Sequence, residues 1–445
     1  MDARAFAEKL FASGRTLGYT DMEVYLSSRN QFSVGIFKRE IDSYTLAESR
    51  GLSFRGAIHG KMGYSYTENL AEDSIDFLLK DAAENARIID SEDVEEIFAG
   101  SPEYTQLSIF APGLETLQAA DKITWAKSTE DIALGLDPRV FSVQVNLGTG
   151  QEETLIINTR GLDVSSRSNF AVGTVTSVVK EGQDTKNSYS YVASRDFGKF
   201  DAKKIAEEAV LESLSLLGAE PVASGTYPVV LRRDVAATFL ATFASSFSAE
   251  SVQKGLSLLK GKLESDIASP LVTITDDPHI DDCPASAPFD AEGVATYKKN
   301  VVEAGRLKTY LHNSKTARKD GVVSTGNGYK ASYNSPVSVA PSNFYIAPGT
   351  KSFDELLAET GEGLLIIALQ GTHAGANAVS GDFSLSAYGY LIENGKIARP
   401  VNQITVAGNF FSLLCDVQSV GNDLKFGFGT GAPSLRIGSL AVAGK

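Results

Sequence analysis

The chain has 445 residues, 41 basic against 55 acidic, a formal net charge of −14 and 43% hydrophobic residues. At roughly 150 residues per domain this length gives two or three compact units, and the apolar share excludes wholesale disorder. The acidic balance and the scatter of Lys and Arg argue against a protein built to hold a phosphate backbone. Four histidines and two cysteines confine metal and thiol chemistry to few positions.

Phe6, Ala7, Leu10 and Phe11 recur at helical spacing and predict a short amphipathic helix over 3–17. After Gly18 the texture becomes β-rich. Segments 22–26, 31–37, 41–46, 51–58 and 63–67 read as five short strands of an antiparallel meander. Ser74 is placed as the cap of a helix carrying Ile75, Leu78, Leu79, Ala82 and Ala86, and the acidic stretch 91–104 reads as a surface connection. A second round follows. Leu114, Leu117, Ala120, Ile123 and Trp125 predict a helix over 113–134, and 140–192 predicts a meander. That meander has turn signals at Thr149-Gly150, Arg160-Gly161 and Glu181-Gly182, and Asp201 opens a helix through Leu217. Helix–meander–helix thus occurs twice, which fits either a diverged internal repeat or one large sheet. Beyond it, 227–232 reads as a strand, 234–247 as a helix, and nearly everything after Leu271 as strand and Gly-punctuated turn. The expected fold is α+β. An N-terminal domain of antiparallel sheet plus helices (1–222) is followed by a large β-rich C-terminal domain (223–445).

The start, Met1-Asp2-Ala3-Arg4, has no basic n-region followed by an apolar stretch, and no apolar run approaches the ~20 residues that span a bilayer. Cys283 and Cys415 lie far apart and outside any CxxC pattern, so a cytoplasmic protein without membrane contact is expected.

Three local patterns invite chemistry. Gly56-Ala57-Ile58-His59-Gly60-Lys61 has three residues between its glycines instead of the four a P-loop needs, and Met62 follows the lysine; a hairpin turn is favoured. Ser251-Val252-Gln253-Lys254 matches S-x-x-K without the K-T-G or S-D-N that accompany the lysine-assisted serine, which favours a polar helix end. Asp276, Asp277, His279, Asp281, Asp282 and Cys283 form the densest run of metal-ligand side chains, but Pro278 and adjacent aspartates favour a solvated acidic loop. No His-Glu-x-x-His occurs.

The C-terminal half carries longer strings. They include Pro288-Phe289-Asp290-Ala291-Glu292-Gly293, Ser324-Thr325-Gly326-Asn327-Gly328, Gly381-Asp382-Phe383-Ser384, Tyr390-Leu391-Ile392-Glu393-Asn394-Gly395 and Ile404-Thr405-Val406-Ala407-Gly408-Asn409. With Asn158-Thr159-Arg160-Gly161, they resemble the TldD/PmbA family, specifically its PmbA (TldE) branch. The resemblance implies a cytosolic heterodimeric zinc metallopeptidase acting on unfolded or short polypeptides. In that family the TldD-type subunit holds zinc with a helical His-Glu-x-x-x-His and a C-terminal cysteine. By the surrounding similarity the metal helix corresponds here to 240–246, where Ala241, Thr242 and Ser246 stand, and Cys415 lies before the cysteine-bearing segment. The resemblance therefore implies no catalytic residue and no metal in this chain, with zinc expected in a TldD-like partner. This subunit would wall the active-site cavity and pair strand edges with an extended peptide. His373, Asn377 and Asp382, and separately Asp290 and Glu292, are the candidates to meet a peptide or a partner loop; turn stabilisation weighs evenly against this role. A homodimer in the partner's absence also fits. Two other readings stand beside this one. One is a regulatory or binding protein of the gyrase-modulator type, with direct DNA contact disfavoured by the charge. The other is a free-standing peptidase using the acidic cluster around His279.

Overall fold

A computed structural model describes residues 2–88 and 95–445. Asp2 caps α1 (Ala3–Thr16), accepting from the Ala5 N–H, and the buried Phe6, Ala7, Leu10 and Phe11 form its inner face. Three antiparallel strands follow, β1 (Tyr19–Phe37), β2 (Glu40–Ile58) and β3 (Lys61–Thr67), and then α2 (Asp73–Ile88). Ser74 lies inside that helix and does not cap it. The five short strands expected here are three, because 22–26 and 31–37 are one continuous strand, as are 41–46 and 51–58. The polar stretch Ser27-Ser28-Arg29-Asn30 suggests a break, yet it keeps the pleat. Met22, Val24, Leu26, Phe32, Val34 and Ile36 all share one parity and one buried face. The first part of the expected connection, 91–94, lies outside the described residues.

The second round repeats the first. A single turn, α3 (Pro112–Glu115), precedes α4 (Ala119–Gly135), so the helix expected over 113–134 is interrupted. Next come β4 (Val140–Asn158), β5 (Asp163–Glu181), β6 (Asp184–Ser194) and α5 (Ala202–Ser215), the last capped by Asp201. Thr149-Gly150 is no turn; it lies within β4. The six strands form one sheet in the order β3-β2-β1-β4-β5-β6. At its centre β1 and β4 run antiparallel from Glu23↔Asn158 to Phe37↔Gln144, which places an approximate two-fold axis between the halves. Repeat and single sheet are therefore one arrangement. Strands of 19, 19 and 7 residues are mirrored by strands of 19, 19 and 11. Both helix pairs cover the same face. The Phe6–Leu10 side of α1 packs on Met22, Val24 and Phe54, while Ala126, Ile205 and Ala209 pack on Val34, Val145 and Leu147. The opposite face is left for the C-terminal domain.

That domain is built on strands Gly225–Leu231, Gly363–Gln370, Asp382–Glu393, Lys396–Asn409 and Leu435–Ala443. The pairing of Lys396–Asn409 with Leu435–Ala443 (Val406↔Val442) closes these five strands on themselves and removes their free edges. Helix Arg233–Phe243 sends Phe239 and Phe243 into the core, against Phe383 and Phe410. A second six-stranded sheet of short strands carries the pair Ile274–Asp276 and Lys299–Glu303. Four short helices, Ser314–Asp320, Phe353–Thr360, Thr372–Gly375 and Phe410–Cys415, fall where nearly everything was expected to be strand and turn. At four to eight residues they are too short for a periodic signal, although Ser352 with Glu355 is a legible capping box.

Candidate functional site

Helix Arg233–Phe243 runs into a tight turn, Ala244–Phe247. Ala241 is exposed, and the Thr242 hydroxyl donates back to the Thr238 carbonyl at 2.7 Å. Ser246 is buried; its hydroxyl donates to the Ala378 carbonyl at 2.9 Å, and its own carbonyl accepts from the Ser257 hydroxyl at 2.7 Å. A methyl group and two hydroxyls already engaged with carbonyls do not fit a zinc ion, which needs thiolate, imidazole or carboxylate donors. Among the described residues, no group of three or more His, Cys, Asp or Glu is placed to hold a metal.

The Ser246–Ala378 bond brings the loop bearing three of the sequence candidates against this corner. His373 is exposed on the short helix Thr372–Gly375. The Asn377 side-chain oxygen accepts from the Val379 N–H at 2.9 Å, and the Asn377 N–H donates to the Asp382 carbonyl at 2.8 Å. Asp382 accepts from the Asn409 amide at 2.9 Å, which holds its carboxyl below the usual range. Asn377 and Asp382 thus shape the turn, and His373 is carried on it.

Asp290 and Glu292 lie elsewhere, between the two domains. Both are buried. One Asp290 oxygen accepts from the N–H groups of Glu292 (2.9 Å) and Val294 (3.0 Å), the other from Gly328 at 2.8 Å. This is the Asx turn weighed from sequence. Burial, and then the neighbouring Glu292 charge, push the Asp290 carboxyl up. Glu292 accepts from the Ser314 N–H at 2.7 Å, and so ties two C-terminal loops together.

Glu292 also lines a cavity of about 440 Å³ between these loops and the N-terminal sheet. Two cross-strand rows form its floor. In one, Glu23, Arg55 and Tyr64 are neighbours across three strands; in the next stand Tyr25, Ser53 and Tyr66. The Arg55 guanidinium donates to buried Glu23 at 2.7 Å, and Glu23 also accepts from Asn158 at 3.0 Å. From the other domain Lys330 donates to the Ser53 hydroxyl at 2.7 Å and sits 4.7 Å above the Tyr25 ring. Burial, followed by the nearby Arg55 charge, lowers the Lys330 ammonium to about 8. Gly51 makes room for the wall, because a Cβ there would lie 2.5 Å from the Tyr333 ring. Sequence reading missed Glu23, Arg55 and Lys330. The available signal was a charged residue set into an alternating strand pattern, Glu23 between Met22 and Val24 and Arg55 beside Phe54.

The acidic run 276–283 is dispersed among separate partners. Asp276 pairs with Lys299, Asp277 accepts from the His279 N–H, and the His279 ring meets the Thr296 hydroxyl at 3.1 Å. Asp282 reaches the N-terminal domain, accepting from the Ser194 hydroxyl (2.8 Å), the Arg195 N–H (2.8 Å) and the Lys199 ammonium (2.6 Å). Burial pushes its carboxyl up, but these three donors outweigh burial and hold it below the usual range. A carboxylate depressed in the folded state stabilises above its unfolded value, and that stability is lost as pH falls through the folded one. Asp282→Asn is therefore expected to unfold at lower urea than the parent at pH 7. The gap should close as the pH falls below the ordinary carboxylate value of about 3.9. A gap that stays undiminished as the pH falls through and below that value would remove the charge from this account.

Two motif candidates are structural. His59 (φ 51°) and Gly60 (φ 76°) make the two-residue turn between β2 and β3, with Ile58 paired to Lys61. Lys254 pairs with Glu250 on the exposed end of helix Ala249–Gln253.

Comparison with known proteins matches three consecutive segments. PmbA/TldA metallopeptidase domain 1 matches residues 22–86, the central domain matches 112–217, and the C-terminal domain matches 224–444. The first two coincide with the two halves of the duplicated sheet. A Haemophilus influenzae metalloprotease PmbA homolog is 28% identical over 436 residues, covering 95% of this chain and 92% of that protein. A Thermotoga maritima protein, provisionally described as a modulator of a DNA gyrase, has a crystal structure matching at TM-score 0.94 and 35% identity, over 99% of this chain and 100% of that one. TldE from Thermococcus kodakarensis shares the fold at TM-score 0.90 and 22% identity, over 99% and 100% of the two chains. The fold is thus that of the metallopeptidase-like TldD/TldE proteins. The chain belongs to the PmbA/TldD family.

Proposed function

We propose that this chain is a TldE-type subunit that lacks the zinc ligands and completes the peptide-binding cavity of a TldD-like catalytic partner, acting in the cytoplasm on unfolded or short polypeptides. The observation that carries this reading is the donor set at Ala241, Thr242 and Ser246, where a family metallopeptidase needs two imidazoles and a general base. Around that corner the exposed His373 and the loop through Asp382 offer backbone and side-chain groups to an extended peptide or a partner loop. Co-expression with a TldD-like subunit is the test. The expected result is a complex holding one zinc per pair, whose cleavage of an unfolded casein-type substrate falls to background when this chain is left out. Stoichiometric zinc and peptide cleavage by the purified chain alone would sink the proposal. The description of the Thermotoga relative favours a second reading, modulation of gyrase. With a net charge of −14, such an effect would run through protein contact and not DNA, and a supercoiling assay with and without the chain reads it directly.

A further inference from the structure

Among the described residues, each basic group lining the interdomain cavity is paired with an acid except Lys330, and Asp81 and Glu292 also line the cavity. Arg55 pairs with Glu23, Arg318 with Glu96 at 3.0 Å, and Lys315 with Glu95 at 3.6 Å. Lys330 has no ion pair among the described residues; its nearest polar partner is the Ser53 hydroxyl. Arg55 stands two residues beyond Ser53 on the same strand face, roughly 7 Å further along the strand. One of its terminal nitrogens has no hydrogen-bond partner among the described residues. Two cationic groups with unused donors, one from each domain, thus line one cavity. The Lys330 ammonium is held by a hydroxyl and the Tyr25 ring face, with Glu23 nearby but outside ion-pair contact, so it keeps donors for a carboxylate oxygen. The rest of the cavity suits a chain with side groups. Tyr66 and Tyr333 meet edge to face at 6.1 Å, Tyr25 lies under Lys330, and the volume of about 440 Å³ falls within the range of small-ligand sites.

We infer that this cavity binds a short peptide by its terminal carboxylate, which pairs with Lys330 and takes a second donor from Arg55. The inference goes beyond the subunit role above and is read on this chain alone, so it stands or falls apart from any catalytic partner. Calorimetric titration of the full chain with acetyl-Ala-Ala-Tyr acid, its C-terminal amide and propionate tests it. The free acid should bind at least about 10-fold more tightly than the amide, and Lys330→Met should weaken the acid by a similar factor. Should that variant not fold, the NMR titration of the Lys330 ammonium in the parent protein supplies the answer. The acid peptide should move its midpoint upward from about 8, and the amide should leave it in place. Equal binding of acid and amide, no detectable binding of the acid, an undiminished affinity in folded Lys330→Met, or an unmoved midpoint overturns the site. Propionate binding as tightly as the tripeptide acid overturns the assignment to peptides.

Discussion

Lys299→Met is expected to destabilise the C-terminal domain by about 3–5 kcal/mol, the usual cost of leaving a buried charge without its partner. The partner is Asp276, whose side chain is fully buried and lies directly across from Lys299 in the register of the two strands. Its carboxylate accepts from the Lys299 ammonium at 2.8 Å, the Asn327 amide at 2.9 Å and the Ser342 hydroxyl at 2.8 Å. After the substitution the Asn327 and Ser342 hydrogen bonds remain, but the ammonium donor and its countercharge are gone. The double variant Asp276→Asn with Lys299→Met removes the charge as well, and it should recover part of the loss. Urea unfolding of the parent, the single variant and the double variant measures this. A single-variant loss below about 1 kcal/mol, or a double variant no more stable than the single one, would show that the pair is not what holds this sheet.

Phe243→Ala is the second large expected effect, again about 3–5 kcal/mol, from a lost aromatic ring and the cavity it leaves. Phe243 is fully buried and stacked on Phe410, with ring centroids 4.6 Å apart and an interplanar angle of 13°. It ends the helix that leads into the Ala244–Phe247 turn, so loosening it reaches the corner where Ser246 holds Ala378. Hydrogen exchange at 244–248 should accelerate together with the drop in urea midpoint. Phe243→Leu, which keeps most of the volume, should restore more than half of the stability. Unchanged exchange beside a full loss of stability would separate this corner from the core beneath it.

Much of the N-terminal fold was legible because its signals are local. The Asp201 cap, the His59-Gly60 turn and the spacing of Phe6, Leu10, Ile205 and Ala209 act within a few residues, and the elements they predict are present. The strand breaks failed where local composition competes with register. Ser27 to Asn30 and Thr149-Gly150 look like interruptions, but hydrogen bonds from β1, β2, β4 and β5 carry the ladder through them. In the candidate site, Asn377, Asp382 and Asp290 were named for residue type and motif. The hydrogen bonds that make them turn residues depend on how the chain doubles back around them.

The sequence by itself determined the α+β layout, the scarcity of metal-binding side chains and the identity of Ala241, Thr242 and Ser246. Donor chemistry is a property of single residues, so no fold can supply an imidazole that is absent. Only the tertiary structure decided where the four histidines, the acidic run and the few unmatched charges come to lie. Asp282 leaves its sequence neighbours to join the other domain, and Lys330 meets Ser53 across 277 residues of chain. Pairings at that separation are set by which sheet face is left uncovered by helices, and a linear pattern does not record it. The charge sum belongs to the sequence, whereas the placing of Lys330 in a cavity between domains, without an ion pair among the described residues, belongs to the fold.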